Sequence, residues 1–228
     1  MKNLSNRLLS IVRCPLPIAY CLLFIVNFFT SCNSESTVKP RGYFNIELPS
    51  QKQYVSFNRP DFPYSFDYPS YGNIVQDSTF FDDKPQNPYW INIDFPQYDA
   101  KVYLSYLSVN TKTVFKEKAK GGYKDSVGVN TLDKLINDAF ALTNKHSIKA
   151  NSIEEIEVHP SPGVNGFIFE VGGNAASLKQ FFLTDSSKNF IRGALYFNAT
   201  PNEDSVKPVS QFLFQDIKKL VSTLRWKK

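Results

Sequence analysis

Four strand-like runs follow one another between Ile153 and Phe197 with only short turns between them. Ile153 to Val158 and Val164 to Val171 come first. Gly172-Gly173-Asn174 turns the chain into Ser177 to Thr184, and Asp185-Ser186-Ser187-Lys188-Asn189 turns it again into Phe190 to Phe197. A parallel crossover needs about a dozen residues or more, so strands joined this tightly run antiparallel. The last third of the chain therefore reads as a meander.

The upstream half supplies strands to join it. Tyr64, Phe66 and Tyr68 alternate with Ser65 and Asp67, the period-2 pattern of a half-buried strand that Pro69 stops. Asn73 to Gln76 can pair nearby. Phe80 to Pro88 reads as loop, because its Asp and Asn side chains form local turns and its prolines withhold backbone donors. Tyr89, Ile91, Ile93 and Phe95 alternate with Trp90, Asn92 and Asp94. Lys101 to Val109 is apolar on both faces, which places it centrally with cover on each side. Asn110 to Tyr123, which ends in Gly121-Gly122, reads as loop or a short helix.

Two helices complete the pattern. Asn130 is the expected cap of the first, with Asp133 in its first turn and Leu132, Leu135, Ile136, Ala139, Phe140 and Leu142 as its apolar stripe. The second carries Val209, Phe212, Leu213, Ile217, Leu220, Val221 and Leu224, with Pro208 expected in its first turn and Leu224-Arg225-Trp226 docking its end. The expected fold class is α+β, an antiparallel sheet of roughly five to seven strands flanked by at least two helices. That order resembles the PsbP-like fold.

The N-terminus points to export. Met1 to Arg13 holds Lys2, Arg7 and Arg13 and no acid, and Ile18 to Phe29 is apolar apart from Asn27. Thr30 and Ser31 then precede Cys32. A basic start, an apolar run of roughly 7–15 residues and a small-residue site make a secretory signal. The run falls short of the ~20 residues a spanning helix needs. Phe29-Thr30-Ser31-Cys32 resembles a bacterial lipobox, whose cysteine takes a diacylglycerol and, after cleavage, a further acyl chain. The resemblance implies lipidation of Cys32 and firm membrane anchoring, since several chains hold where one holds only marginally. The expected organisation is a signal over 1–31, a lipidated leader and extended arm over 32–58, and one globular domain over 59–228. The arm, dense in Pro, Gly and aromatics, is expected to lie over its own domain or over a partner.

Beyond residue 31 the chain keeps 23 Lys and Arg against 21 Asp and Glu. That balance gives no case for nucleic-acid binding, which wants basic residues massed on one face. Cys14 and Cys21 lie in the signal, so no disulfide is expected and stability must come from a packed core, for which 20 Phe and 12 Tyr are material.

Little in the chain carries chemistry. Gly-x-Ser-x-Gly is absent, and Gly172-Gly173-Asn174 lacks the lysine of a phosphate-binding loop. His146, at the end of the first helix, is placed where a cation meets the helix dipole favourably, and His159 sits at a strand end. The two are not at metal-ligand spacing, so no metal site is expected. Asp82-Asp83 fall in the turn-rich loop, and Glu155 and Glu157, beside Glu154, fall on the solvent face of a strand. No catalytic residue and no cofactor are expected. Asp77-Ser78-Thr79, Asp125-Ser126-Val127 and Asp204-Ser205-Val206 resemble the triplets O-glycosylated in Bacteroidetes periplasms, which makes Ser78, Ser126 and Ser205 candidate acceptors.

Several blocks together resemble a known family. They are Lys39 to Phe44 (KPRGYF), Pro63 to Pro69 (PYSFDYP), Trp90 to Pro96 (WINIDFP), Ala141 to Ala150 (ALTNKHSIKA), Gln180 to Ser186 (QFFLTDS), Arg192 to Phe197 (RGALYF) and Leu224-Arg225-Trp226. In this order they are similar to the gliding motility lipoprotein GldD family of Bacteroidetes. The resemblance implies a non-enzymatic envelope component associated with gliding and type IX secretion, acting by binding other envelope proteins. It makes Arg41, Gly42, Tyr43 and Phe44 of the arm candidate partner contacts. Glu35 is the lone acid closely following Cys32, so a periplasm-facing position is expected, on the outer membrane rather than the inner. The alternative is a small-ligand-binding lipoprotein, which requires a roomy apolar pocket with converging polar groups.

Overall fold

The computed structural model describes residues 46–76, 85–119 (115–119 as backbone only) and 122–227. The domain begins with β1 (Tyr54–Phe57), β2 (Tyr64–Pro69), β3 (Asn73–Gln76), β4 (Ile91–Phe95) and β5 (Ala100–Ser108). A hairpin of β6 (Lys112–Ala119) and β7 (Gly122–Val129) leads to helix α1 (Leu132–Asn144). The meander β8 (Ala150–Ser161), β9 (Val164–Gly173), β10 (Ser177–Thr184) and β11 (Asn189–Phe197) follows, then helix α2 (Glu203–Thr223) and the short β12 (Arg225–Trp226).

Seven strands form one antiparallel sheet in the order β3-β4-β5-β11-β10-β9-β8. The expected α+β class is borne out, and β5 lies inside the sheet as its two apolar faces require. Strand alternation sends neighbouring side chains to opposite faces. Ile168, Phe181, Ile191 and Leu195 meet Leu213, Ile217 and Leu220 of α2 in the larger core. Phe169, Phe182 and Phe190 meet Leu135 and Ala139 of α1 in a smaller one. Gly193 stands directly opposite Phe181 in the ladder, and a Cβ there would lie 2.1 Å from the phenylalanine ring. The missing side chain is what lets that ring lie across the sheet. A second sheet, β1-β2-β12, closes the larger core with Phe57, Tyr64 and Phe66.

Four local expectations are corrected. Within the stretch from Asn110 to Tyr123, expected as loop or short helix, Lys112–Ala119 is strand β6 and Gly122 and Tyr123 begin β7. Asn130 does not cap α1, because its backbone closes the base of that hairpin, accepting from the Asn110 amide and donating to Thr111 O. Thr131 is the cap, extended at φ −70° and accepting from the Lys134 amide. The buried stripe of α1 runs Leu135, Ala139 and Thr143, and Leu142 faces solvent. Pro208 lies inside α2 rather than in its first turn, because Asn202 caps the helix five residues earlier than expected. The proline is exposed, so water can serve the carbonyl left without its amide donor.

Candidate protein-binding site

The β6–β7 hairpin is a separate two-stranded sheet, joined to neither of the larger sheets. A hairpin alone is marginal in water, and this one is held at its base by the Asn110–Asn130 and Asn130–Thr111 backbone bonds and by Gln86, whose Oε1 accepts from Thr113. Val114 pairs with Val127 and Lys112 with Val129. Alternation puts Tyr123, Asp125, Val127 and Val129 on one face of β7, with Val114 beside Val127. That face is bare: Tyr123 is 73% exposed and Val127 72%. The segment 112–129 carries five lysines against Glu117 and Asp125. The result is a two-stranded ribbon with an exposed apolar strip in a lysine-rich segment. Contiguous exposed apolar surface is one feature of protein interaction surfaces.

A second constellation holds the N-terminal side of the domain. Asp216 is 3% exposed on the inner face of α2. Its Oδ1 accepts from Lys52 Nζ at 2.8 Å and from the Tyr54 hydroxyl at 2.9 Å, and its Oδ2 accepts from the Tyr71 hydroxyl. Lys52 also donates to Phe212 O and lies 3.7 Å over the Phe212 ring. Burial, then the bond to Asp216, pushes both phenols well above their ordinary range, so they stay protonated donors. Both carboxylate oxygens are occupied, and breaking such a buried pair costs about 3–5 kcal/mol. The cluster is a staple. It fastens the segment from Lys52 to Tyr54 onto its own domain, which decides where that part of the expected arm lies.

The residues singled out from the sequence are dispersed. Cys32, Arg41, Gly42, Tyr43, Phe44, Ser78, Asp82 and Asp83 lie outside the described residues. Ser126 is half-buried on β7, and Ser205 is exposed in the first turn of α2. Glu154, Glu155 and Glu157 are exposed on edge strand β8. His159, also on β8, is bonded to Asn165 at 2.8 Å. His146 lies in the 3-10 turn after α1, where burial and the nearby Arg192 charge hold its imidazole below the usual value. The cation expected there is therefore disfavoured. Gly173 takes a positive φ of 90° at the β9–β10 turn, and its amide donates to Glu203 at the start of α2. Among the described residues no group of three or more His, Cys, Asp or Glu is placed to hold a metal ion, and no helix is long and apolar enough to cross a membrane.

A cavity of about 580 Å³ is an open depression lined by Asp94, Asp99, Lys101, Tyr103 and Tyr196 among others. It is not the apolar pocket that the small-ligand alternative requires.

The ribbon and the Asp216 staple were both missed from the sequence. Gly121-Gly122 was the available signal for the ribbon, since two glycines between β-prone runs mark a hairpin. A lone acid on the apolar stripe of α2 was the signal for the staple.

A family model described as gliding motility lipoprotein GldD matches residues 33–226. A search of curated proteins finds no match. Among solved structures, the chain is similar to the solution structure of cyanobacterial PsbP (CyanoP) from Synechocystis sp. PCC 6803. The identity is 14% and the TM-score 0.38, over 76% of this chain and 92% of that one.

Proposed function

This chain belongs to the gliding motility lipoprotein GldD family, and from that premise we propose that it is a non-enzymatic accessory or assembly component of the gliding and type IX secretion machinery that works by binding other envelope proteins. Family membership supports a role in gliding motility and a lipid-anchored place in the envelope. The finer reading is that acyl chains on Cys32 hold the domain at the periplasmic face of the outer membrane, with the ribbon turned toward a partner.

The observation that carries the proposal is the bare strip of Val114, Tyr123, Val127 and Val129 within a lysine-rich ribbon. Its chemistry fits a protein surface with an apolar centre and an acidic rim. Interface centres favour apolar and aromatic anchors of this type, and complementary charge guides the encounter.

The test is mild crosslinking and affinity capture from native envelopes with wild type, Val114→Thr/Val127→Thr and Cys32→Ala. Wild type should recover other gliding or secretion proteins, and both variants should lose most of them. Wild type recovered alone, or equal recovery with the ribbon variant, would refute the proposal.

A further inference from the structure

The side of the large sheet that faces α1 changes character along its strands. Near Phe169, Phe182 and Phe190 it is aromatic and covered by the helix. One step further along β11 and β10 it is polar, and Arg192 stands there. In the ladder Arg192 sits between Ser105 of β5 and Phe182 of β10, in the middle of the sheet.

Arg192 is an unusual residue to find at that depth. Arg192 is half-buried, enough that burial lowers its pKa. Buried charges are ordinarily paired, because desolvating an ion costs several kcal/mol. Yet among the described residues no carboxylate forms an ion pair with it. Among the described residues its side-chain hydrogen bond is to Gln180, whose Oε1 accepts from Arg192 Nη2 at 2.5 Å. A guanidinium has five N–H donors, and those not bonded to Gln180 are open to solvent or to a ligand, since none is among the buried unpartnered atoms.

Gln180 repeats the problem. It is 1% exposed, and its oxygen also takes the Thr143 hydroxyl at 3.4 Å. Its amide nitrogen has no partner. A buried amide left without a partner destabilises the fold. His146, in the turn after α1, lies close enough for the Arg192 charge to act on it. The carbonyl end of α1 offsets that charge by at most about half a unit. None of the described hydrogen bonds joins the guanidinium to those carbonyls.

The orphan Gln180 amide and the open guanidinium donors are thus gathered around one positive charge that no carboxylate pairs among the described residues. What they lack is an acceptor-rich group of negative charge. We propose that Arg192 and Gln180 form the floor of a binding site for a small oxyanion, the carboxylate or phosphate group of a ligand, with His146 at its side. The guanidinium fork matches either group in a bidentate manner, and the Gln180 amide adds a third donor. The site is independent of the ribbon: it needs no protein partner, and it stands or falls apart from the function proposed above.

The test uses the full-length lipoprotein in detergent with labelled histidine. The chain has two histidines, so a His159→Gln variant assigns the His146 signal. The imidazole is titrated by NMR in sodium phosphate, in sodium succinate and in sodium chloride at matched ionic strength. An oxyanion beside His146 stabilises the imidazolium, so its pKa should rise saturably in phosphate or in succinate and not in chloride. A response to phosphate alone identifies a phosphate-bearing ligand, and one to succinate alone a carboxylate. Arg192→Gln and Gln180→Leu should each weaken the saturation midpoint by about tenfold or more. No response beyond that of chloride overturns the proposal, and so does an unchanged midpoint in the variants. If Arg192→Gln fails to fold, the wild-type titration and Gln180→Leu still decide.

Discussion

Hairpins β10–β11 and β6–β7 are each built from two strands of eight or nine residues, yet their side chains meet opposite surroundings. In β10 every residue but Lys179 is buried. In β7 none is. The first hairpin has β5 and β9 as neighbours and a helix over each face, so each apolar side chain there lowers the energy of the fold, by about 1.5–3 kcal/mol when fully buried. The second has no neighbouring strand and no covering helix among the described residues. Its valines and Tyr123 gain nothing comparable from folding. Under the function proposed above, these are the groups that a partner would cover.

The comparison can be broken most directly at Phe181. It is 1% exposed, packed against α2 and opposite Gly193. Phe181→Ala should cost about 3–5 kcal/mol, from lost burial and the cavity left behind. Tyr123→Ala, a truncation larger by one hydroxyl on the ribbon, should stay within about 0.5 kcal/mol. Urea unfolding of the two variants measures both. Similar losses would show that the hairpins do not differ in the way argued.

The turns sharpen the contrast. The β10–β11 turn is clipped by Asp185, whose Oδ1 accepts from the amides of Ser187, Lys188 and Asn189 at 2.7–2.9 Å. Its Oδ2 takes the Asn189 side chain at 2.6 Å. Burial alone would raise the carboxyl pKa, but these donors outweigh it and hold it below the ordinary range. A carboxyl depressed in the folded state adds stability that is present above its unfolded pKa of about 3.9 and lost as pH falls through the folded value. Asp185→Ala should therefore cost about 1–3 kcal/mol at neutral pH. The gap to wild type should narrow below about pH 4. A gap that is the same at pH 7 and pH 3 would remove the carboxylate from the account.

What the sequence disclosed follows the same division. The meander was legible because Phe181 and Phe182, or Phe190 and Ile191, sit in runs whose ends are marked by Gly172-Gly173-Asn174 and by Asp185 to Asn189. Local pattern and local turn chemistry agree there. The ribbon was obscured because Lys116-Glu117-Lys118 interrupts any apolar alternation after Val114, and burial is the usual source of that alternation. The staple was illegible for another reason. Lys52, Tyr54 and Tyr71 reach Asp216 across 145 to 164 residues of chain. No local period records such a contact. Arg192 and Gln180 likewise meet only because antiparallel pairing sets them diagonally across the β10–β11 ladder.

The smallest expected effect is the most informative. Val114→Thr together with Val127→Thr keeps a β-branched shape at both positions and removes the apolar strip. Because Val114 is 55% and Val127 72% exposed, each change should shift stability by about 0.5 kcal/mol or less. Hydrogen exchange at the paired amides of β6 and β7 should be unaltered, since the ladder does not depend on the substituted methyl groups. Capture of envelope partners should nonetheless fall. If the doubly substituted protein instead loses about 2 kcal/mol or more, the valines belong to the fold after all. The ribbon would then be a packed element of the domain, and its exposed strip would no longer argue for a partner.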